Sequence, residues 1–247
     1  MTRNFLKLNA SKTEFIVLCP SNRCANNLSD VRLPVGDKTI ALSSRVRNLG
    51  ICIDSSFTLA THVNNIVRTC NFHLKNLWRI RRFIDVKTCH HAVRALILSR
   101  IDYCNSLFVV LSAKDKRKIE SVQNRAARLV FRVGQRVQIS PLLKELHWLP
   151  FSQRVQFKLG LYVHKLISNT APSYLADTIA LYVPTRDIRS KTDTTRLIVP
   201  RSNLSSAEKR FSVTAARVWN NIPSSIRVTK SQLTFKTKLK TYLFPQS

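Results

Sequence analysis

Hydrophobic residues recur along most of the chain with the 3.6-residue period of an amphipathic helix. The first such pattern has two candidate capping residues, Thr58 and Thr61, and we expect it to continue to about Phe83. A second pattern predicts a helix over roughly Asp85 to Phe108, with Val93, Leu96, Ile97, Ile101 and Cys104 on one face. The apolar positions of the first pattern are Val63, Ile66, Val67, Cys70, Leu74, Leu77 and Ile84.

A third periodic pattern starts near Ala113, and Gly134 is a natural C-terminal stop for it. Its apolar face consists of Ile119, Val122, Ala126, Leu129, Val130 and Val133. The second half of the chain predicts five more helices: "ISPLLKELHWLP", ended by Pro150, then Phe151–Ile167, part of "APSYLADTIALYVP", the segment "SSAEKRFSVTAARVWNNIP" with Ser206 and Lys209 flanking its start, and Ser231–Leu243.

The first 54 residues show β-strand patterns instead. Thr13–Cys19 is a short β-rich run, and "VRLPVGDKTIAL" has Gly36-Asp37 as a hairpin turn between two strands. "RVRNLGICID" is predicted to be a strand that ends near Asp54. We therefore predict an α+β chain that is mainly helical, with a small N-terminal β segment at 1–56, a helical bundle at 57–136 and a second helical region at 137–247. A basic loop near 185–206 contains "RLIVP" as a lone strand candidate.

Charge is the strongest compositional signal. The 247 residues include 41 Lys or Arg and 13 Asp or Glu, a formal net charge of +28. Such an excess repels itself unless a polyanion neutralises it, and nucleic acid is the favoured partner. A membrane surface is the alternative, but no lipidation motif and no apolar run of about 20 residues supports one. We expect RNA or DNA as partner and an intracellular location, in nucleus or cytoplasm, because the N-terminus lacks a secretory h-region.

The third helix carries a basic stripe opposite its apolar face. Its members Lys114, Lys118, Arg125, Arg128 and Arg132 fall mostly on one side of a helix. A solvated face is the usual explanation of a charge run, but solvated faces mix signs. Between Arg68 and Arg136, 16 residues are basic and 4 acidic. The stripe is therefore predicted to bind phosphates. A second basic region, Arg186–Lys240, includes Phe211, Trp219 and Phe235, for which core packing is favoured over stacking on bases.

The six cysteines are scattered and lie mostly within apolar patterns, which predicts reduced, buried thiols. Cys70 with His73, and Cys89 with His90 and His91, have spacings from which a zinc site could be drawn. Structural zinc prefers Cys pairs on knuckle turns, whereas these residues lie within predicted helices. We predict no metal site and no cofactor in this chain.

Several segments taken in order resemble the C-terminal part of non-LTR (LINE-type, Jockey-like) retrotransposon reverse transcriptases. "LKLNASKTEFIVL" resembles the palm segment after the catalytic turn, and "VRNLGICID" resembles the primer-grip hairpin. Six later segments resemble, in order, the thumb and the region beyond it: "SRIDYCNSLF", "VQNRAARLV", "LKELHWLPFSQRVQFK", "APSYLADTI", "RFSVTAARVWNNIP" and "FKTKLKTYLF". The resemblance implies a palm remnant followed by a thumb-like bundle that holds template-primer or element RNA.

The resemblance also implies roles for individual residues. Lys12 corresponds to the palm lysine near the incoming nucleotide, although a solvated loop lysine is the simpler description without the catalytic carboxylates. Leu49 and Gly50 correspond to the turn of the primer grip, with Arg45 and Arg47 alongside to meet phosphates.

The catalytic centre implied by the family is an aromatic-X-Asp-Asp turn, which belongs upstream of these segments. No Asp-Asp dipeptide occurs in the chain, and nucleotidyl transfer needs clustered carboxylates for two metal ions. We therefore expect no polymerase activity from this polypeptide alone, and Mg²⁺ only in an intact polymerase that includes the upstream palm and fingers. A 5′-truncated copy or an incomplete gene model is expected. The alternative is a non-enzymatic basic interaction module, or the translated relic of a decayed element.

Asp102, in "LILSRIDYCNSLF", stands beside an aromatic residue as a catalytic Asp would. The helical pattern places it on a polar flank without a second carboxylate. We predict a structural role for it, through a hydrogen bond or a pair with a nearby Arg such as one on the third helix.

Overall fold

The computed structural model describes residues 9–18, 31–36, 38–183, 195–201 and 207–244. The fold is α+β and mainly helical, with two small antiparallel sheets in the N-terminal part, as predicted. Two compact units are present: Met1–Asn65 with Val110–Asp115, and Ile66–Val109 with Lys116–Ser247. The domain limits predicted at residues 56 and 136 stay a prediction. Among the described residues, no helix combines the length and apolar character needed to cross a bilayer.

The strands of the described part are β1 (Arg32–Val35), β2 (Lys38–Ala41), β3 (Arg45–Asn48) and β4 (Ile51–Asp54). The α-helices there are α1 (Ala60–Ile80), α2 (Val86–Val93), α3 (Ser99–Asp102), α4 (Ala113–Phe131), α5 (Ile139–Glu145), α6 (Phe151–Ile167), α7 (Ser173–Ala176), α8 (Phe211–Asn220), α9 (Ser224–Arg227) and α10 (Gln232–Leu243). The helices predicted at 151–167 and 231–243 are confirmed, whereas α9 was not predicted. Ser206, expected to flank the start of α8, lies outside the described residues.

The first unit contains two β-hairpins. β1 pairs with β2 as predicted, and Gly36 has a φ of +58° at the turn, while Asp37 lies outside the described residues. The prediction of one strand over "RVRNLGICID" is wrong, because β3 and β4 pair with each other. Leu49 and Gly50 between them have φ values of 46° and 86°. Two consecutive positive φ values define the type I′ turn that matches the twist of a two-residue hairpin.

The strand predicted at Thr13–Cys19 is also wrong within the described residues. Phe15 forms a single parallel bridge with Leu42, and the neighbouring residues up to Leu18 are irregular. Cys19 lies outside the described part. Residues with high β propensity form a strand only where a partner strand pairs with them, and here the pairing is limited to this one bridge.

An aspartate, and not only a threonine, stabilises the beginning of α1. The carboxylate of Asp54 accepts hydrogen bonds from the backbone N–H groups of Thr58 and Leu59, at 2.9 and 2.7 Å. Thr58 contributes a weaker bond from the Ala60 N–H to its Oγ1, at 3.3 Å. Thr61 lies inside the helix. Asp54 therefore satisfies backbone donors that helix formation leaves unpaired.

The helix predicted over 85–108 is interrupted. Asp85 caps α2 by accepting from the Thr88 N–H, then Arg94–Leu98 forms a π-helical segment, and α3 ends at Asp102. Cys104 takes a φ of 51°, and Asn105–Val110 continues as a 3-10 helix. The change of direction at Cys104 explains why the apolar period alone overestimates the length of this helix.

Three helices end in left-handed residues that are not glycine: Arg132 after α4, His147 after α5 and Asn169 after α6, with φ of 57°, 54° and 52°. Each is followed by a residue whose N–H bonds to a carbonyl five positions back, as from Val133 to Arg128 at 3.1 Å. The predicted stop at Gly134 is therefore wrong by two residues. Pro150 does not end α5 either, since it immediately precedes α6.

The helices after α5 enclose an apolar cluster in the second unit. Trp219 and Phe235 are buried there and Phe211 is packed against it, so the predicted core packing of these aromatics is confirmed. The strand candidate "RLIVP" forms only one antiparallel bridge, from Leu197 to Leu181, and 184–194 and 202–206 lie outside the described part. The buried cluster consists of Val163, Leu197, Ala215, Ala216, Trp219, Ile222, Ile226, Phe235 and Leu239.

The cysteines that the structure describes are free thiols, and two of them, Cys70 and Cys89, are buried. Burial raises the pKa of Cys70 to about 11, so this thiol is protonated and unreactive near neutral pH. Cys19 and Cys24 lie outside the described residues. No group of three or more metal-ligating side chains occurs in the described ranges.

Asp102 has the structural role that its sequence context predicts. It accepts a hydrogen bond from Arg154 Nε at 2.7 Å, and a second from Arg154 Nη2. The predicted pairing with an arginine is therefore confirmed, but the partner belongs to α6 and not to the third helix. A forked guanidinium–carboxylate contact fixes α3 against α6.

Candidate nucleic-acid interface

A groove of about 950 Å³ lies within the second unit, between the C-terminal half of α1 and the C-terminal end of α4. Residues three or four positions apart share one face of a helix, so each of the two helices lines the groove with such residues. Its lining consists of Asn71, Leu74, Lys75, Trp78, Arg79, Arg81, Arg82, Arg125, Arg128, Leu129, Arg132, Val133, Gly134 and Gln135.

The groove is strongly positive. Seven of its fourteen lining residues are Lys or Arg, and none is Asp or Glu. Cations gathered in a concave surface reinforce one another's field and raise the local concentration of anions. The lining therefore favours a polyanion over a neutral or cationic ligand.

Arg81 is the structural cation of the groove. It is only 5% exposed, and its guanidinium donates to three backbone carbonyls: Leu129 at 3.0 Å, Val130 at 2.5 Å and Ile84 at 2.7 Å. Two of these are among the last carbonyls of α4, where the helix dipole favours a positive charge. Arg81 thus ties the end of α1 to the end of α4 and fixes the width of the groove.

Arg125 and Arg128 are held in position by neutral partners. Arg125 Nη2 donates to Asn71 Oδ1 at 2.8 Å, and Arg128 Nη2 donates to the Val137 carbonyl at 3.2 Å. Neither contact neutralises the guanidinium charge. Arg125 Nε also donates to the Ser121 carbonyl at 3.3 Å, and Arg128 Nε is buried. The other N–H groups of both guanidiniums can donate to phosphate oxygens.

Arg132 combines exposure with backbone strain. Its φ of 57° lies in the left-handed region, which disfavours residues with a Cβ, and its side chain lines the groove. Glycine is the usual residue at this position of a helix end. An arginine that costs stability at an exposed position points to a functional use of its charge.

Replacing Arg132 with Gly should therefore separate stability from binding. We expect a gain of about 1 kcal/mol in the free energy of unfolding, seen as a rise of about 2–4 °C in melting temperature. RNA affinity should fall by about fivefold near 0.1 M salt because one phosphate contact is lost. Arg132→Ala is the control, since it loses the same charge but keeps the strained φ. Equal melting temperatures for the two variants would contradict the strain argument.

Trp78 is one of several groove residues that were not predicted from the sequence. Its side chain is 73% exposed, whereas the other two tryptophans, Trp148 and Trp219, are 4% and 1% exposed. Its sequence signal is its position four residues after Leu74, at the border of the apolar face. At that border, helical spacing is the same for a buried aromatic residue as for an exposed one, so spacing alone does not identify Trp78 as exposed. Lys75, Arg79 and Arg82 were missed because charges at the end of a helix are ordinary.

The structure brings together only part of the predicted basic stripe. Arg125, Arg128 and Arg132 line the groove, whereas Lys114 and Lys118 do not. Lys114 is exposed and belongs to the first unit; Lys118 is half-buried and lies in the second.

The remaining predicted residues all lie in the first unit. Arg45 and Arg47 alternate on the same exposed face of β3, and the turn residues Leu49 and Gly50 are exposed as well. The Arg47 N–H donates to Glu14 Oε2 at 2.9 Å. Lys12 ends a short 3-10 helix, Ala10–Lys12, with its side chain in solvent.

Comparison of the chain with protein-family models, with curated proteins and with solved structures gave no match.

Proposed function

We propose that the chain binds RNA or DNA through the phosphate backbone, as a C-terminal part of a non-LTR retrotransposon reverse transcriptase. The observation that carries the proposal is the groove between α1 and α4, which is lined by seven cations and no described acid, with Trp78 exposed at its wall. Cations bind phosphates of any sequence and Trp78 offers a ring for base stacking, so the expected binding is sequence-tolerant and salt-dependent.

The reverse transcriptase assignment rests on the ordered sequence segments that resemble the palm end, the primer grip and the thumb. The β3–β4 hairpin has the turn at Leu49 and Gly50 that this resemblance implies. In that assignment the hairpin approaches the primer with Arg45 and Arg47 near phosphates, and the groove receives template-primer or element RNA. Lys12 is then a palm lysine without its catalytic partners.

Tryptophan fluorescence tests the binding proposal directly. Because Trp148 and Trp219 are buried, a change in emission on titration with a 12-nucleotide single-stranded RNA reports mainly on Trp78. We expect quenching that disappears as salt is raised. Trp78→Ala should weaken binding about tenfold or more, through the loss of about 1–3 kcal/mol of stacking, and Trp78→Phe should retain most of the affinity.

The outcomes also separate the proposal from a protein-interaction module. Binding without any change in Trp78 emission would place the RNA elsewhere on the chain. An absence of RNA and DNA binding at low salt would leave the interaction module as the better description. Primer extension by this polypeptide with Mg²⁺ and dNTPs would contradict the expectation that it is inactive alone.

A further inference from the structure

A second cavity of about 680 Å³ lies in the second unit, apart from the residues that line the groove. Its wall is built from the π-helical segment and α3, from the residues that follow α5, and from α6 and α10. This volume is in the range of sites that hold small organic ligands. None of the sequence expectations and no part of the proposed function uses it.

The polar part of the cavity is organised around a fixed ion pair. Arg154 holds both oxygens of Asp102, so the charge of each is compensated. Asn105 lies beside this pair and donates to Asp102 Oδ1 at 3.4 Å. Asn105 is only 3% exposed, yet its Oδ1 is buried without a hydrogen-bond partner among the described residues. Because Oδ1 has almost no accessible surface, Asn105 supports the position of Asp102 and does not itself contact a ligand in the cavity.

Three further cations in the wall have no carboxylate partner within the described part of the chain: Arg94, Lys158 and Lys240. Lys158 Nζ lies 5.3 Å from the centroid of the Tyr162 ring, which is not part of the cavity wall, so Arg94 and Lys240 are the cations best placed for a ligand. Burial first, and then repulsion from Arg154 and Arg94, lowers the pKa of Lys240. An anion placed among these groups would relieve that repulsion.

Another part of the wall is apolar and aromatic. Trp148 donates from Nε1 to His90 Nε2 at 3.2 Å, and the two rings stack with centroids 5.5 Å apart. Leu98, Phe157 and Leu161 also line the cavity. The cavity therefore offers both cations and apolar surface to a ligand.

We propose that this cavity binds a phosphate monoester of an organic group, either a free nucleotide or the 5′ end of a nucleic-acid strand. A phosphate monoester carries close to two negative charges and three acceptor oxygens, which suits the two separate cations Arg94 and Lys240. A carboxylate prefers the two-pronged contact of a single arginine and would use Arg94 alone, because Asp102 occupies Arg154, whereas a phosphate monoester can contact Arg94 and Lys240 together. The organic group packs against the apolar part of the wall.

The test uses the full chain and titration calorimetry at about 0.3 M salt, which weakens exposed phosphate contacts. Adenosine 5′-monophosphate should bind at least tenfold more tightly than inorganic phosphate, because only the nucleotide contacts the apolar part of the wall. Lys240→Gln and Arg94→Gln should each weaken nucleotide binding about tenfold. Lys238→Gln is the matched control, since it removes an exposed lysine from the same helix, away from the cavity.

The two sources of the phosphate are distinguished with a tetranucleotide that carries either a 5′-phosphate or a 5′-hydroxyl. A preference of at least fivefold for the 5′-phosphate that Lys240→Gln abolishes assigns the cavity to a strand end. Tight binding of the mononucleotide alone assigns it to a free nucleotide. Equal loss of binding in Lys240→Gln and Lys238→Gln, binding of succinate as tight as that of the nucleotide, or no binding of either phosphate probe overturns the proposal. The groove can still bind RNA in each of these cases, so this failure is distinguishable from failure of the proposed function.

Discussion

Replacement of four groove cations by glutamine should lower RNA affinity by two to three orders of magnitude near 0.1 M salt. The variant combines Lys75→Gln, Arg79→Gln, Arg82→Gln and Arg132→Gln, which removes four of the seven charges of the lining but leaves the structural Arg81. Each phosphate contact releases about 0.7 counterion from a single strand. The slope of log K against log salt should therefore become less steep by about 3.

The control for this variant has the same change in net charge. Lys87→Gln, Lys144→Gln, Lys236→Gln and Lys238→Gln also remove four positive charges from a chain of net charge +28. All four residues are exposed and lie outside the groove. If affinity depends on overall charge alone, both variants lose the same slope and the groove has no special role. We expect the control to change the slope by less than about 1.

The salt slope is the better measure because it counts contacts, whereas a single affinity mixes contacts with stacking. Trp78 contributes affinity without releasing counterions. Trp78→Ala should therefore shift the line downward without changing its slope, whereas the four-charge variant changes the slope itself. Cations and the aromatic ring of one groove thus give separable signals.

The helical periodicity of the sequence predicts most of the helices that the structure contains. Phe151–Ile167 is apolar at every third or fourth position and follows a proline that fits just before a helix, and the helix forms over those residues. The errors in the predicted helix ends arise where the expected glycine is absent and another residue takes the left-handed conformation. With only 4 glycines in the chain, helix ends use Arg132, His147 and Asn169 in left-handed conformations, which a search for glycine cannot find.

The candidate site was predictable only in part. The α4 stripe follows from spacing, and so its members share a face whatever the tertiary structure. Which portion of that face becomes a groove depends on the helix that packs beside it. Arg125, Arg128 and Arg132 meet the end of α1, whereas Lys118 does not. The roles of Trp78 and Arg81 depend on the same packing, because one residue is exposed and the other buried at the end of a single helical run.

Arg81 should be the residue of the groove most important for stability. Its substitution by Met keeps the apolar stem but removes a guanidinium that satisfies three carbonyls without help from any carboxylate. Hydrogen bonds from a charged donor contribute about 1.5–3 kcal/mol each before compensation, and the carbonyls left behind stay buried. We expect Arg81→Met to lower the free energy of unfolding by about 3 kcal/mol.

Urea unfolding in the absence of nucleic acid measures this effect. For a typical dependence of about 2 kcal/mol per molar urea, the midpoint should fall by about 1.5 M. Arg82→Met is the matched control, because Arg82 is exposed and its guanidinium carbon lies over the Phe83 ring, 4.6 Å from the centroid, in a cation–π interaction. That variant should change the stability by less than about 0.5 kcal/mol. Equal midpoints for the two variants would show that the three carbonyls find water when Arg81 is removed, and the groove would then not depend on Arg81 for its width.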